Sequence, residues 1–232
     1  MSTTVLVRFA GLQLGSLLLA LALAAHSAAE TLEISVVDEQ GRPIEDVAVY
    51  ATAASAEQVL AAAAPANAAP QAKAIMDQHE MQFVPHLLVV QSGTEVAFPN
   101  GDKVSHHVYS FSETKQFELK LYKGDVYPPV SFDRPGVVVL GCNIHDGMLG
   151  YIVVVETPYF AKTDDQGVAL IHGVPSGDYV LAAWTPRARP SALPPTQQLA
   201  VGEGTAAAEI RITGRLAPAH EHRVSSLTWE RY

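Results

Sequence analysis

The sequence predicts an all-β protein in which a central β-sandwich is inserted into, or flanked by, a second and smaller β-sandwich. Short runs of alternating apolar residues recur between residues 32 and 212, without a helical period among them. Turn residues such as Gly93, Gly101, Gly124 and Pro135 separate these runs at the spacing typical of antiparallel sandwiches. The first and last groups of runs are each too small to form a sandwich alone.

The first predicted element is a hairpin over residues 30–52. Leu32, Ile34 and Val36 alternate with polar residues, a turn follows at residues 38–41, and the alternation resumes near Val47. Two strands are marginal in water, so they need partners further along the chain.

The remaining segments follow from shifts in composition. Residues 53–74 are rich in Ala and Pro, which is typical of a linker or of a short helix capped by proline. The central domain is expected over residues 75–157, with strands at residues 83–90, 95–99, 107–111, 117–121, 136–140 and 149–155. Residues 158–214 add strands at 168–171, 179–184 and 207–212, and residues 215–232 form a tail.

Two arrangements of these segments are open. Because the first hairpin and the last strands both lack partners, we expect them to pair with each other, with the central domain nested between them. The alternative is a sequential arrangement in which the hairpin packs on the central domain.

The N-terminus predicts export to the periplasm. Arg8 precedes an apolar run from Leu12 to Ala25, and small residues at 27–29 match a cleavage site, so residues 1–29 read as a signal peptide. An uncleaved anchor is the alternative, but Gln13 and Gly15 interrupt the run, and we expect no stable membrane span after cleavage.

Charge and cysteine count restrict the function. Loss of Arg8 with the signal peptide leaves 14 basic and 24 acidic residues, a net charge of −10, which argues against nucleic acid as a partner. One cysteine, Cys142, cannot form an intramolecular disulfide. In an oxidising compartment, such a thiol is expected to be buried or bound to a metal.

The most informative motif follows the apolar run at residues 137–140. Cys142, His145 and Met148 stand three residues apart on one predicted loop, which gathers a thiolate, an imidazole and a thioether. Soft sulfur ligands combined with imidazole favour copper. A second imidazole is available upstream at His106 or His107, at the start of another predicted strand, and these residues alone leave that choice open.

This loop resembles that of the cupredoxins, the plastocyanin-like and amicyanin-like Greek-key sandwiches, which include proteins named for methylamine utilisation. The resemblance covers about residues 81–156 and includes Phe83-Val84-Pro85 and Phe98-Pro99-Asn100. It implies one type 1 copper per chain held by His106, Cys142, His145 and Met148. It also implies that the His107 N–H points at the Cys142 sulfur, and that His145 is the electron's exit, bordered by Asp146, Gly147 and Leu149.

The outer segments resemble the carboxypeptidase regulatory-like, transthyretin-like family of small immunoglobulin-like sandwiches. The resemblance rests on residues 37–43, 163–167 and 174–179, which are largely turn motifs. It implies a fold and no catalytic activity.

These observations predict a monomeric periplasmic electron carrier that exchanges single electrons with a donor and an acceptor protein. We expect it not to be an enzyme and to have no catalytic residues, because the hydrolase elbow and the His-Cys-His arrangement of multicopper oxidases are missing from the sequence. One alternative is a copper carrier that delivers the metal. Another is a surface-binding outer sandwich that carries the copper domain.

Other histidines are weaker candidates. His79, between Met76 and Met81, is a possible copper-loading cluster, although a solvated role is favoured. His86 and His172 are expected at the surface, and the His220-Glu221-His222 stretch could bind an adventitious ion.

Overall fold

The computed structural model of the protein describes residues 30–55, 74–189, 194–202 and 204–219. None of these residues is helical, which confirms the predicted all-β class. The described part therefore contains no helix with the length and apolar character of a membrane span. The predicted signal peptide, most of the linker and the His220-Glu221-His222 stretch lie outside the described residues.

The central part of the chain forms a sandwich of two main sheets and a small hairpin. Its strands are β3 (Ala74–Ile75), β4 (Asp77–His79), β5 (Gln82–Val84), β6 (Leu87–Gln91), β7 (Thr94–Ala97), β8 (His106–Ser112), β9 (Lys115–Tyr122), β10 (Val130–Phe132), β11 (Gly136–Cys142) and β12 (Leu149–Val155). One sheet has the order β6-β12-β11-β8-β9, the other has the order β10-β7-β3, and β4 pairs with β5.

The outer sandwich is built from both ends of the described chain. Its strands are β1 (Glu30–Asp38), β2 (Ala48–Ala53), β13 (Phe160–Lys162), β14 (Val168–Val174), β15 (Gly177–Trp184), β16 (Thr196–Val201) and β17 (Thr205–Ile212). One sheet has the order β14-β1-β17, with β1 and β17 parallel, and the other has the order β13-β2-β15-β16. The first two strands thus pair with strands of the last third of the chain.

The predicted hairpin over residues 30–52 is wrong. β1 and β2 lie in different sheets, and the turn after β1 is closed by an isolated bridge between Val37 and Pro43 and by backbone hydrogen bonds. A hairpin within one sheet and two strands in facing sheets give the same alternation in sequence. In both arrangements every second residue is buried in the core. The alternation therefore identified the strands but not their partners.

Hydrophobic clusters fill each sandwich and the space between them. The outer core includes Leu32, Ile34 and Leu181, and the central core includes Phe83 and Phe132. A third cluster joins the two sandwiches, with Ala48, Leu87, Val153 and Val155 at its centre. The central sandwich therefore packs against the outer one through β6 and β12 of its larger sheet.

Candidate metal centre

Two neighbouring strands of the larger central sheet bring the upstream histidine to the cysteine. His106 is the first residue of β8 and Cys142 is the last residue of β11, and the two strands pair with Cys142 opposite Val108. Because alternate residues of a strand share a face, His106 and Val108 both point into the sandwich beside Cys142. His106 is fully buried and Cys142 is 7% exposed.

The loop from residue 143 to residue 148 returns the second histidine to the same place. The Cys142 N–H donates to the Met148 carbonyl at 3.3 Å, and the Met148 N–H donates to the His145 carbonyl at 3.2 Å. Gly147 has a φ of +83°, a conformation that costs glycine little and most other residues considerably more. The loop is thus closed on itself, with His145 turned back over Cys142.

Three ligand atoms meet at this point. His106 Nδ1 lies 3.0 Å from His145 Nδ1, and the Cys142 sulfur lies 3.8 Å from the first nitrogen and 3.5 Å from the second. The rings of the two histidines meet edge to face, with centroids 4.7 Å apart. Among the described residues, this is the group of His, Cys, Asp and Glu side chains close enough together to hold a metal ion.

The size of the triangle fits a small transition-metal ion. Bonds of about 2.0 Å to imidazole and about 2.3 Å to thiolate, in a trigonal arrangement, place the two nitrogens about 3.5 Å apart and each about 3.7 Å from sulfur. The observed separations of 3.8 and 3.5 Å match the N···S values, and the N···N separation of 3.0 Å is somewhat shorter. Two imidazoles and one thiolate are the equatorial ligand set of blue-copper sites.

Met148 lies on the same loop and faces the same interior. It is 3% exposed and belongs to the hydrophobic cluster that contains Cys142, Val108 and Leu140. A thioether is a soft donor of the kind that suits copper beside a thiolate and imidazoles.

The structure separates the two candidate upstream histidines. His106 points inward to Cys142, whereas His107 points outward, and its Nε2 lies 2.8 Å from the Glu118 carboxylate. The His107 carbonyl accepts the Asn143 N–H at 3.2 Å, which ties β8 to the ligand loop. The expected contact between the His107 N–H and the sulfur stays a prediction.

The two clustered histidines have different surroundings. Partial burial, with the neighbouring His106, lowers the pKa of His145 below its ordinary value of 6.5, so its ring stays neutral and can offer a lone pair at neutral pH. His106 Nε2, on the side away from the triangle, lies 3.0 Å from Asp102 Oδ2. Sequence reasoning did not single out Asp102, because an Asp in a Gly-Asp turn reads as turn chemistry.

The His145 side of the centre reaches the surface. His145 is partly exposed, and its neighbours Ile144 and Leu149 are 51% and 44% exposed. Asp146 and Gly147 are exposed too. The resemblance implied that Asp146, Gly147 and Leu149 border this patch, which stays a prediction; all three residues are exposed.

The other candidate histidines do not join a ligand cluster among the described residues. Met76 is fully buried in the central core, so it is unavailable to a cluster with the exposed His79. The expectation that His86 lies at the surface is wrong, because it is 9% exposed and packs against Tyr151 where the two sandwiches meet. His172 is exposed, as expected.

Comparison with known proteins identifies similar solved structures that cover about one third of this chain. No family model matches the sequence, and no curated protein matches it.

Two of the similar structures are reduced amicyanin variants, one in its Cu(I) form at pH 4. Each is 23% identical to this chain. The alignment with the Cu(I) form at pH 4 has a TM-score of 0.32 and covers 36% of this chain and 82% of that one. The alignment with the other variant has a TM-score of 0.33 and covers 37% of this chain and 84% of that one. A purple cupredoxin from Nitrosopumilus maritimus is 22% identical with a TM-score of 0.32, covering 36% of this chain and 99% of its own. This chain is thus similar to cupredoxins over about one third of its length.

Proposed function

We propose that this chain is an exported type 1 copper protein that passes one electron at a time between two redox proteins. The observation that carries the proposal is the buried triangle of His106, Cys142 and His145, whose size and donor atoms suit a copper ion. Met148 would supply its thioether as a further ligand.

Copper bound in such a site supplies a one-electron couple, and the protein supplies a fixed arrangement of ligands. His106 and Cys142 sit at the ends of paired strands, and the loop that carries His145 is closed by its own backbone hydrogen bonds. Ligands held in this way move little when the charge of the site changes. A small rearrangement favours fast electron transfer.

The partly exposed edge of His145 is the proposed route for electrons to a partner. The exposed Ile144 and Leu149 offer an apolar surface beside it, suited to a brief contact with a donor or an acceptor protein. The proposal includes a periplasmic location, a monomeric carrier, one copper per chain and no enzymatic activity.

Delivery of copper to another protein is the competing function. The burial of His106 and Cys142 favours a relay, because a metal enclosed by buried ligands must be exposed before an acceptor can take it. A relay keeps its copper through repeated oxidation and reduction, whereas a carrier loses it to an acceptor.

The first test is a copper(II) titration of the purified chain, followed by visible absorption and electron paramagnetic resonance. We expect an intense thiolate-to-copper band at one copper per chain. The band disappears in Cys142→Ser and in His106→Ala, and it shifts in Met148→Leu.

His107→Ala is the matched control, since it removes the adjacent imidazole on the outer face and leaves the triangle intact. A folded chain that shows no such band would contradict the proposal. Transfer of the copper to a protein acceptor during redox cycling would favour the carrier function instead.

A further inference from the structure

His106 is the more constrained of the two histidines in the cluster. Its side chain is fully buried, and its two ring nitrogens face different partners. Nδ1 faces the cluster, and Nε2 lies 3.0 Å from Asp102 Oδ2. For His145, in contrast, no hydrogen bond at Nε2 is found among the described residues, and its ring is partly exposed.

The contact with Asp102 decides which nitrogen of His106 carries the proton. An ionised carboxylate can only accept hydrogen bonds, so the nitrogen beside it must be the donor. A neutral His106 therefore has its proton on Nε2 and its lone pair on Nδ1. That lone pair points to Cys142 and His145, where a metal ligand is needed.

Asp102 is itself held in place by the backbone. Its Oδ2 also accepts the Met81 N–H at 2.8 Å, and its Oδ1 accepts the Lys103 N–H at 2.6 Å. The Asp102 N–H donates to the side chain of Asn100 at 3.0 Å, and Asn100 is buried. The carboxylate thus links the β4–β5 turn, the loop before β8 and His106.

These hydrogen bonds also favour the ionised carboxylate. Both of its oxygens face N–H donors, from the Met81 backbone and His106 at Oδ2 and from the Lys103 backbone at Oδ1, so the group acts only as an acceptor. A fixed negative charge therefore stands behind His106.

We propose that Asp102 is a positioning residue that holds His106 as the Nε2–H tautomer and, through its charge, lowers the reduction potential of the bound copper. The second part rests on the proposed function, and the first does not. A negative charge beside a ligand stabilises the cupric ion more than the cuprous ion, because the cupric ion carries the larger positive charge. Outer hydrogen bonds to metal-bound histidines act on affinity in the same sense.

The main test is Asp102→Asn, which keeps an acceptor oxygen for His106 and the Met81 N–H and removes the charge. We expect copper(II) affinity to fall by about tenfold to a hundredfold. We expect the ratio of copper(II) to copper(I) affinity to fall by about tenfold, which raises the reduction potential by about 59 mV for a one-electron couple.

Glu113→Gln is the control. It removes an exposed carboxylate in the turn between β8 and β9, at the end of β8 opposite to His106, and it should leave the potential nearly unchanged. Equal shifts in the two variants, or no shift in Asp102→Asn while the visible band persists, would overturn the role of the charge.

A second measurement needs neither copper nor a variant. Nitrogen-15 NMR of the metal-free chain at mildly alkaline pH should assign His106 to the Nε2–H tautomer. A proton on Nδ1 would refute the positioning role, even if Asp102→Asn fails to fold. Absence of a copper band in the unmodified chain, with the Nε2–H tautomer present, would instead refute the proposed function and leave the positioning role intact.

Discussion

At the residue scale, the centre depends on two glycines as well as on its ligands. Gly147 provides the left-handed turn that closes the loop. Gly141, directly before Cys142, lies under the ring of Tyr109, and a Cβ at Gly141 would lie 2.8 Å from the ring carbon and hydroxyl of that tyrosine. Tyr109 is the strand partner of Gly141, so the lack of a side chain lets the two strands pack an aromatic ring beside the cysteine.

We therefore predict that Gly141→Ala destabilises the protein by about 1 to 3 kcal/mol, the usual cost of overpacking. Urea denaturation measures the change. In a Tyr109→Ala background, which removes the ring, the same substitution should cost much less. Equal costs in the two backgrounds would show that the ring is not the cause.

At the element scale, the connection between β1 and β2 is held by a residue far along the chain. The Thr163 hydroxyl accepts the Val47 N–H at 3.0 Å and donates to the Ile44 carbonyl at 2.8 Å. Thr163 is 2% exposed, so water does not readily replace these bonds. These two hydrogen bonds hold the segment that passes from the sheet of β1 to the sheet of β2, where the alternation had suggested a hairpin.

Thr163→Val should consequently cost about 2 kcal/mol of unfolding free energy, because it leaves a buried N–H and a buried carbonyl without the hydroxyl. Thr163→Ser keeps the hydroxyl and loses one methyl group, at a cost of about 0.8 kcal/mol. Chemical denaturation of the two variants separates the effects. If the serine variant proves no more stable than the valine variant, the hydroxyl contributes little.

At the scale of the whole molecule, the two sandwiches meet through apolar side chains and a cluster of polar groups around Asp46. Tyr151 of the central sheet and Trp184 of the outer sheet pack with ring centroids 5.7 Å apart. Asp46 stands at the edge of this contact, 2.6 Å from the Lys162 ammonium and 3.4 Å from His86 Nδ1. Asp46 and Lys162 belong to the outer sandwich and His86 to the central one, so the carboxylate links the two.

Stability should depend on the ionisation of Asp46 at acid pH. Burial opposes its charge, but His86 and Lys162 outweigh burial and lower its pKa from 3.8 to about 2. A lowered pKa stabilises the folded state above about pH 4, and this contribution is lost as the pH falls towards 2. The shift in the pKa of Asp46 corresponds to at most about 2 kcal/mol of unfolding free energy.

Asp46→Asn should thus be less stable than the unmodified chain near neutral pH, and the difference should vanish near pH 2, the lowered pKa. Thermal unfolding across this range tests it. Asp165→Asn is the control, because Asp165 is exposed and its side chain makes no hydrogen bond or ion pair with the residues that the structure describes. A difference that does not change with pH would contradict the argument.

Much of this molecule was predictable from local sequence. Strands could be located because alternation is a property of neighbouring residues, and most runs coincide with observed strands. Cys142, His145 and Met148 stood out because one loop carries them all. The ligand types alone pointed to copper, before any distance was known.

The features that the sequence did not predict depend on the pairing of strands that are distant in sequence. The separation of β1 from β2, the burial of His86 and the inward turn of His106 all depend on strands that are distant in sequence. The position of the Asp102 carboxylate beside His106 depends on the conformation of the loop before β8, which the alternation pattern does not encode. Alternation indicates which residues of a strand share a face. The partner of each strand, in contrast, depends on how the whole chain packs. Only the folded structure therefore shows which side chains meet.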